Sequence, residues 1–239
     1  MQPRPDAATA RRAVLAAVAD LVVTRGAARV GIDGVDGAGK TTFADDLAPV
    51  LAERGLPVVR AGVDDWHQPR AVRYRRGRDD PDGFWLDSHD WLRLRAELLD
   101  PWRRGGDRRH RTAIHDLVTD AAVDTPLRAA PPDAVLVVDG IFLQRPELAG
   151  AFDLVVWLDA PFEATYARMA RRDGSPSDPA DPANRRYLLA QQRYLRECSP
   201  HERADVVVDV TDVLAPVLRR PLAPVLNRSE RFDGPSDGP

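Results

Sequence analysis

Gly34-Val35-Asp36-Gly37-Ala38-Gly39-Lys40-Thr41 lies between a short strand pattern and a helix pattern, and that placement restricts the chain to few folds. The segment fits G-x-x-x-x-G-K-[ST], a loop whose backbone N–H groups wrap phosphate at a helix N-terminus. Upstream, Arg29-Val30-Gly31-Ile32-Asp33 reads as a strand feeding the loop. Downstream, residues 41–54 read as a helix with Phe43, Leu47, Val50 and Leu51 inward and Gly55 closing it. Strand, loop and helix in this order are the context such a loop requires. Lys40 is also the only lysine among 34 lysines plus arginines. A compact ammonium on a flexible stem can thread a narrow backbone cradle that a planar guanidinium fits poorly. A composition rich in Ala, Arg, Asp and Pro accounts for the scarcity of lysine, but not for where the last one stayed. The phosphate ligands expected are therefore Gly34, Asp36, Gly37, Ala38, Gly39, Lys40, Thr41 and Thr42, with the Thr41 hydroxyl toward magnesium.

Four more short apolar runs follow: residues 57–63, 134–139, 153–159 and 204–210. The run Ala134-Val135-Leu136-Val137-Val138 is nearly continuous, which suits a strand buried on both faces. Helical patterns lie between the runs at residues 87–99, 161–172 and 184–198. This alternation predicts an α/β fold of the P-loop NTPase type: a five-stranded parallel sheet with helices on both faces. Ligands then bind at the carboxyl ends of the strands, where Asp33, Asp64, Asp65 and Asp139 fall. One domain is expected over residues 1–218. It opens on an amphipathic helix at 7–25 and carries an arginine-rich substrate-binding insertion at about 67–131. A Pro/Asp-rich lid is expected at about 171–186, and residues 219–239 have the composition of a disordered tail.

Bulk properties exclude several classes. A net charge of −3 provides no overall drive toward nucleic acid or an anionic membrane. No apolar run reaches the length of a bilayer span, and no signal-peptide pattern opens the chain. The single cysteine, Cys198, cannot form an internal disulfide, which suits a reducing cytoplasm. Homo-oligomer formation is left open.

The remaining chemistry concentrates in carboxylates and arginines. Asp139 ends an apolar strand before Gly140, the position of a metal-holding carboxylate in phosphate-loop proteins. Asp64 and Asp65 end the second strand, where a carboxylate can accept a proton from an attacking hydroxyl; a turn or helix cap uses the same pair. Arg168, Arg171 and Arg172 share a helix face that opens into the lid, where they can neutralise a transferred phosphoryl group or complement the helix dipole. Arginines at 70, 73, 75, 76 and 78 read mainly as solvated surface, with a minority steering anions. Phe84-Trp85 are candidates to stack on a nucleobase, whereas Trp91, Leu94 and Leu98 read as core.

Together these pieces resemble the uridine kinase/phosphoribulokinase family of P-loop kinases, over about Arg29 to Val210. The resemblance rests on Ile32-Asp33-Gly34 through Phe43-Ala44, on Val63-Asp64-Asp65-Trp66-His67, on Arg78-Asp79-Asp80-Pro81-Asp82-Gly83-Phe84, and on Val137-Val138-Asp139-Gly140-Ile141-Phe142-Leu143. It continues through Phe152-Asp153-Leu154 and Ala204-Asp205-Val206-Val207-Val208. It implies an ATP- and Mg²⁺-dependent kinase acting on a hydroxyl of a small molecule. A nucleoside is the leading acceptor; pantothenate, a nicotinamide riboside or a sugar phosphate, or a regulator without catalysis, are the alternatives. The family match makes Asp64 the base, Asp79 a ribose-hydroxyl ligand, and Arg168 and Arg172 the lid arginines. The family's Tyr-Asp-x-x-x-His segment aligns with His115 through Asp120, both recognition side chains being changed, and places His115 and Asp120 at the acceptor. Arg185-Arg186 stand in for a second lid pair. A GTP-dependent switch needs an Asn-Lys-x-Asp motif, which a chain with its sole lysine at position 40 cannot supply.

Overall fold

The computed structural model describes residues 7–220; the expected disordered tail lies outside the described residues from position 221 onward. Helix α1 (Ala7–Arg25) precedes strand β1 (Arg29–Gly34), the glycine-rich loop and helix α2 (Lys40–Ala52). Strand β2 (Val58–Gly62) leads through a 3₁₀ turn at Val63–Trp66 into the insertion, which contains helix α3 (Pro81–Asp87). Strands β3 (Val135–Gly140) and β4 (Leu154–Asp159), helices α4 (Phe162–Asp173) and α5 (Arg185–Cys198), and strands β5 (Val206–Asp209) and β6 (Val217–Leu218) complete the order.

The sheet order is β6-β5-β4-β1-β3-β2. Strands β1 to β5 pair in parallel, as expected, but β6 joins antiparallel to β5, so the sheet has six strands and is mixed at one edge. Two residues carry no periodicity that could announce β6. It forms because Arg219 N donates to Val207 O and the Arg219 guanidinium pairs with Asp209. Strands β1 and β3 are buried along their whole lengths, as strands sandwiched between helices must be. Gly31 in β1 allows that packing, because a Cβ there would lie 3.1 Å from the Phe152 ring.

A second difference concerns residues 87–99, expected as one helix. The helix that opens at Pro81 ends at Asp87, and residues 88–90 run antiparallel to residues 66–68, with Gln68 N donating to Ser88 O and Asp90 N to Trp66 O, both at 2.9 Å. Helix resumes only at Trp91–Leu94, capped by Asp90, and loosens into a π turn at Arg95–Leu99. The apolar spacing of Trp91, Leu94 and Leu98 reports core burial, which all three achieve. Elsewhere the insertion is built of short turns and two ladders of two residues each, Arg109–His110 with Arg128–Ala129 and His115–Asp116 with Ala121–Ala122.

Candidate active site

The loop after β1 is shaped by glycines at left-handed φ. Gly37 (φ 75°) and Gly39 (φ 87°) adopt backbone that other residues rarely tolerate. At Gly37 there is also no room, since a Cβ would lie 2.5 Å from Thr165 O of α4. Lys40 opens α2 and folds its ammonium back onto Val35 O at 2.9 Å, inside the loop it is expected to serve. Thr41 Oγ1 donates to Asp139 Oδ2 at 2.6 Å, which joins the start of α2 to the end of β3. The other Asp139 oxygen accepts from Arg60 Nη2 at 2.8 Å. Arg60, on β2, was given no role by sequence reasoning.

Behind the loop lies a carboxylate that sequence placed at a strand end without a function. Asp33 is fully buried and accepts from Gly34 N at 2.8 Å, from Gln144 Nε2 at 3.2 Å and from the Tyr194 hydroxyl in a short bond. Desolvation dominates and pushes its pKa up to about 6, against these hydrogen bonds and Lys40, which lower it. Asp36, expected at phosphate, is held by Gln191 of α5: its N–H donates to Gln191 Oε1 at 2.8 Å, and Gln191 Nε2 donates to its carboxylate at 3.3 Å. Desolvation raises the Asp36 pKa, Lys40 opposes this, and the negative charge of Asp64 adds to it.

Two cavities meet over this floor. The larger, about 900 Å³, is lined by Gly37, Lys40, Thr41, Asp139 and Arg172 among others. The smaller, about 530 Å³, opens into the insertion. They share Asp36, Asp64 and Tyr187, so Asp64 stands where the phosphate cavity meets the second one. Asp65 lines only the larger cavity; desolvation raises its pKa, and the charges of Asp64 and Asp139 raise it further. Both aspartates sit in the 3₁₀ turn just after β2 rather than on the strand.

The second cavity is cationic. Arg70, Arg73, Arg78 and Arg186 line it, together with His67 and the rings of Tyr74, Phe84 and Tyr187. Arg73 is paired to Asp120 at 3.3 Å, whereas Arg70 and Arg78 make no ion pair among the described residues. His115 and Asp120, expected at the acceptor, line neither cavity. They stand behind it: Asp120 accepts from Arg70 N at 2.9 Å, from Arg73 and from His115 Nε2 at 3.1 Å. Desolvation would raise the Asp120 pKa, but these hydrogen bonds hold it below the usual carboxylate range. Asp79 is exposed in the turn before α3 and lines neither cavity; its neighbour Asp80 caps that helix through Gly83 N.

The lid arginines divide. Arg172 reaches the larger cavity while paired to Asp173. Arg168 does not line it; its guanidinium donates to Gly37 O at 3.3 Å, Val210 O at 2.5 Å and Thr211 O at 2.8 Å, clamping α4 to the loop and to the end of β5. Arg186 is likewise committed to structure: it is buried and donates to the carbonyls of Arg73, Gly77, Arg78 and Asp80 and to Ser88 Oγ. Asn184 ties the intervening loop through Pro176 O and Asp178 O.

A pair of histidines was also missed. His67 and His89 face each other across the 66–68/88–90 pairing, with ring centroids 4.1 Å apart. Desolvation pushes both imidazoles below the ordinary histidine range, His89 well below it.

A phosphate loop at the head of α2, a strand-end carboxylate bonded to its threonine and a second cavity meeting it at Asp64 define an ATP-dependent small-molecule kinase of the P-loop class. No protein-family model and no curated protein sequence matches the chain. Among solved structures, that of a possible uridine kinase from Bacillus stearothermophilus is 27% identical with a TM-score of 0.64, covering 82% of this chain and 97% of that one. A provisionally assigned fructose transport system kinase from Silicibacter sp. TM1040 is 23% identical (TM-score 0.61, covering 76% and 94%). Phosphoribulokinase from Rhodobacter spheroides shares the fold at 16% identity (TM-score 0.51, covering 79% and 74%). In fold the chain is similar to these uridine kinase- and phosphoribulokinase-like P-loop kinases. Among the described residues no helix is long and apolar enough to cross a membrane.

Proposed function

We propose that the chain transfers the γ-phosphoryl group of Mg²⁺-bound ATP to a hydroxyl of a small acceptor carrying an anionic group, with Asp64 as the general base. The observation that carries this reading is the position of Asp64 at the junction of the two cavities, the only carboxylate besides Asp36 that lines both among the described residues. ATP phosphates rest against the loop, and Lys40 turns from Val35 O to the β- and γ-phosphates. Thr41 and Asp139 offer the hard oxygen donors that Mg²⁺ prefers, and that ion would neutralise charge on the phosphates. The acceptor lies in the second cavity with its hydroxyl toward Asp64, which takes the hydroxyl proton as the oxygen attacks. Asp36, engaged by Gln191, orients the loop rather than the acceptor.

Four guanidinium groups against two carboxylates favour a phosphate or carboxylate on the acceptor, held by Arg70 and Arg78. A nucleoside is the second reading, supported by the rings of Tyr74, Phe84 and Tyr187 in the same cavity. Sugar phosphates, hydroxycarboxylates and nucleosides, each tested for acceptor-dependent ADP release, separate the two. If no acceptor in any class stimulates ADP release, the kinase reading fails for this site. With the acceptor found, Asp64→Asn lowers kcat by about 10²–10⁴-fold while leaving KM for ATP nearly unchanged; a variant at full rate refutes the base. Arg70→Gln with Arg78→Gln raises KM for an anionic acceptor by at least tenfold, about 1.4 kcal/mol or more, and an unchanged KM refutes the anionic class.

A further inference from the structure

Beside the transfer site, three side chains form a donor set that the phosphotransfer reading does not use as a unit. One ligand atom each from Asp64, His67 and His89 lie within 4.8 Å of one another. Their backbone is held rigidly, because residues 66–68 and 88–90 run antiparallel and exchange hydrogen bonds on either side of the two histidines. His67 Nδ1 stands 2.7 Å from Asp64 O. A carbonyl only accepts, so Nδ1 carries the proton and Nε2 keeps its lone pair free. A second bond of this kind, from the non-ligating nitrogen to a backbone carbonyl, is what orients a metal-bound histidine.

His89 provides the independent sign. It is only 3% exposed, and neither of its ring nitrogens has a hydrogen-bond partner. A buried polar group without a partner needs a physical reason, and a bound ion or water supplies one. Its ring centroid lies 4.1 Å from that of His67 and 4.8 Å from that of Trp91. The nearby cations are already balanced: Arg73 pairs with Asp120 and Arg145 with Glu147. Asp64 is exposed and gives the cluster an opening to the second cavity.

We infer that Asp64, His67 and His89 form a binding site for a borderline divalent cation of the Zn²⁺ class, next to and chemically distinct from the oxygen site at Thr41 and Asp139. Two imidazoles and one carboxylate suit Zn²⁺ or Co²⁺, whereas Mg²⁺ takes oxygen donors and retains water. Binding restrains Asp64. On the proposed kinase reading, a carboxylate held by the cation no longer takes the proton of the acceptor hydroxyl, so occupancy inhibits transfer.

The test uses untagged full-length protein without nucleotide, titrated with Co²⁺ and followed by visible d–d absorption, then with Zn²⁺ in competition. One Co²⁺ per chain is expected, displaced by Zn²⁺. In His89→Phe, which keeps an aromatic ring between His67 and Trp91, affinity falls by more than the 10–100-fold typical of losing an outer-sphere partner. A wild-type protein that gives no d–d band overturns the site whatever the variants do. Equal affinity in wild type and a folded His89→Phe, or in His89→Gln should the first variant not fold, overturns it as well. In the kinase assay at fixed Mg²⁺-ATP, Zn²⁺ inhibits wild type and spares His89→Phe. Stoichiometric binding without inhibition leaves the site standing and refutes Asp64 as the base instead.

Discussion

Asp33 contributes a stability that falls as pH rises through the mildly acidic range. Its carboxyl is fully buried beneath the phosphate loop, and its pKa moves from 3.8 to about 6 on folding. The folded state therefore binds a proton more tightly than the unfolded chain. The stability this confers is fully present below pH 3.8 and is lost as pH rises through about 6. A shift of this size corresponds to about 3 kcal/mol at 1.36 kcal/mol per unit. Most of that change falls between pH 4 and 6, a large share of the 5–15 kcal/mol that holds a typical domain together. Asp33→Asn removes the titration. It also sets an amide where three groups, Gly34 N, Tyr194 and Gln144, donate to the carboxylate, so the variant is less stable than wild type at the acid end. The diagnostic quantity is the difference in unfolding free energy between wild type and variant, from urea titrations at pH 4, 5, 6 and 7. This difference shrinks by about 2–3 kcal/mol across the series if the account is right. A constant difference, or one that grows, refutes the claim that Asp33 is protonated at the acid end in the fold.

Two further outcomes follow from the same geometry. Lys40→Arg leaves folding intact, since Lys40 makes one bond to a loop carbonyl, but lowers kcat/KM for ATP by about 10²–10³-fold, as losing one transition-state donor does; a near-normal rate in the coupled assay would show that the cradle accepts a guanidinium. Arg186→Met unlatches the insertion from α5 by removing donors to four carbonyls and Ser88 Oγ, and costs at least about 3 kcal/mol in urea unfolding; a loss below about 1 kcal/mol would show that water replaces the latch.

What sequence could reveal tracks how local each signal is. The phosphate loop was legible because its glycines answer to backbone φ and its flanking strand and helix to short-range periodicity. The five parallel strands were legible for a related reason: burial on both faces leaves an apolar run, such as Val135 to Val138, that few other environments demand. Strand β6 had no such mark, because its pairing depends on Arg219 finding Asp209 across the sheet edge. The helix expected at residues 87–99, in which residues 91–99 are helical and 88–90 are not, shows the converse. Trp91, Leu94 and Leu98 are spaced as in a helix and are buried, but Ser88 to Asp90 are claimed by residues 66–68, a partner twenty residues away in sequence that periodicity within a window cannot register. His89 was invisible for this reason, since only that pairing brings it to His67.

Arginine set the main limit on reading the site. In a chain with a single lysine, arginine performs both structural and ligand-binding work, and the residue type does not distinguish them. The guanidinium has five donors in a rigid fork, enough to satisfy several carbonyls at once. Arg29 ties the start of β1 to Asp153, Arg145 joins Glu147 to Trp85 O, Arg168 clamps α4 to the phosphate loop, and Arg186 gathers the insertion onto α5. Each is spent on protein atoms, although Arg168 and Arg186 occupy positions where the family resemblance placed phosphate ligands. Among the described residues that line the two cavities, the cations left for ligands are those whose donors the fold does not fully consume: Arg70 and Arg78 in the second cavity, Arg172 at the lid, bound only to its neighbour Asp173, and Lys40. Among the residues that line the two cavities, the uncommitted positive charge therefore runs from the loop past Asp64 into the second cavity. A phosphoryl group moving from ATP to an anionic acceptor would therefore have cationic contacts at both ends of its transfer.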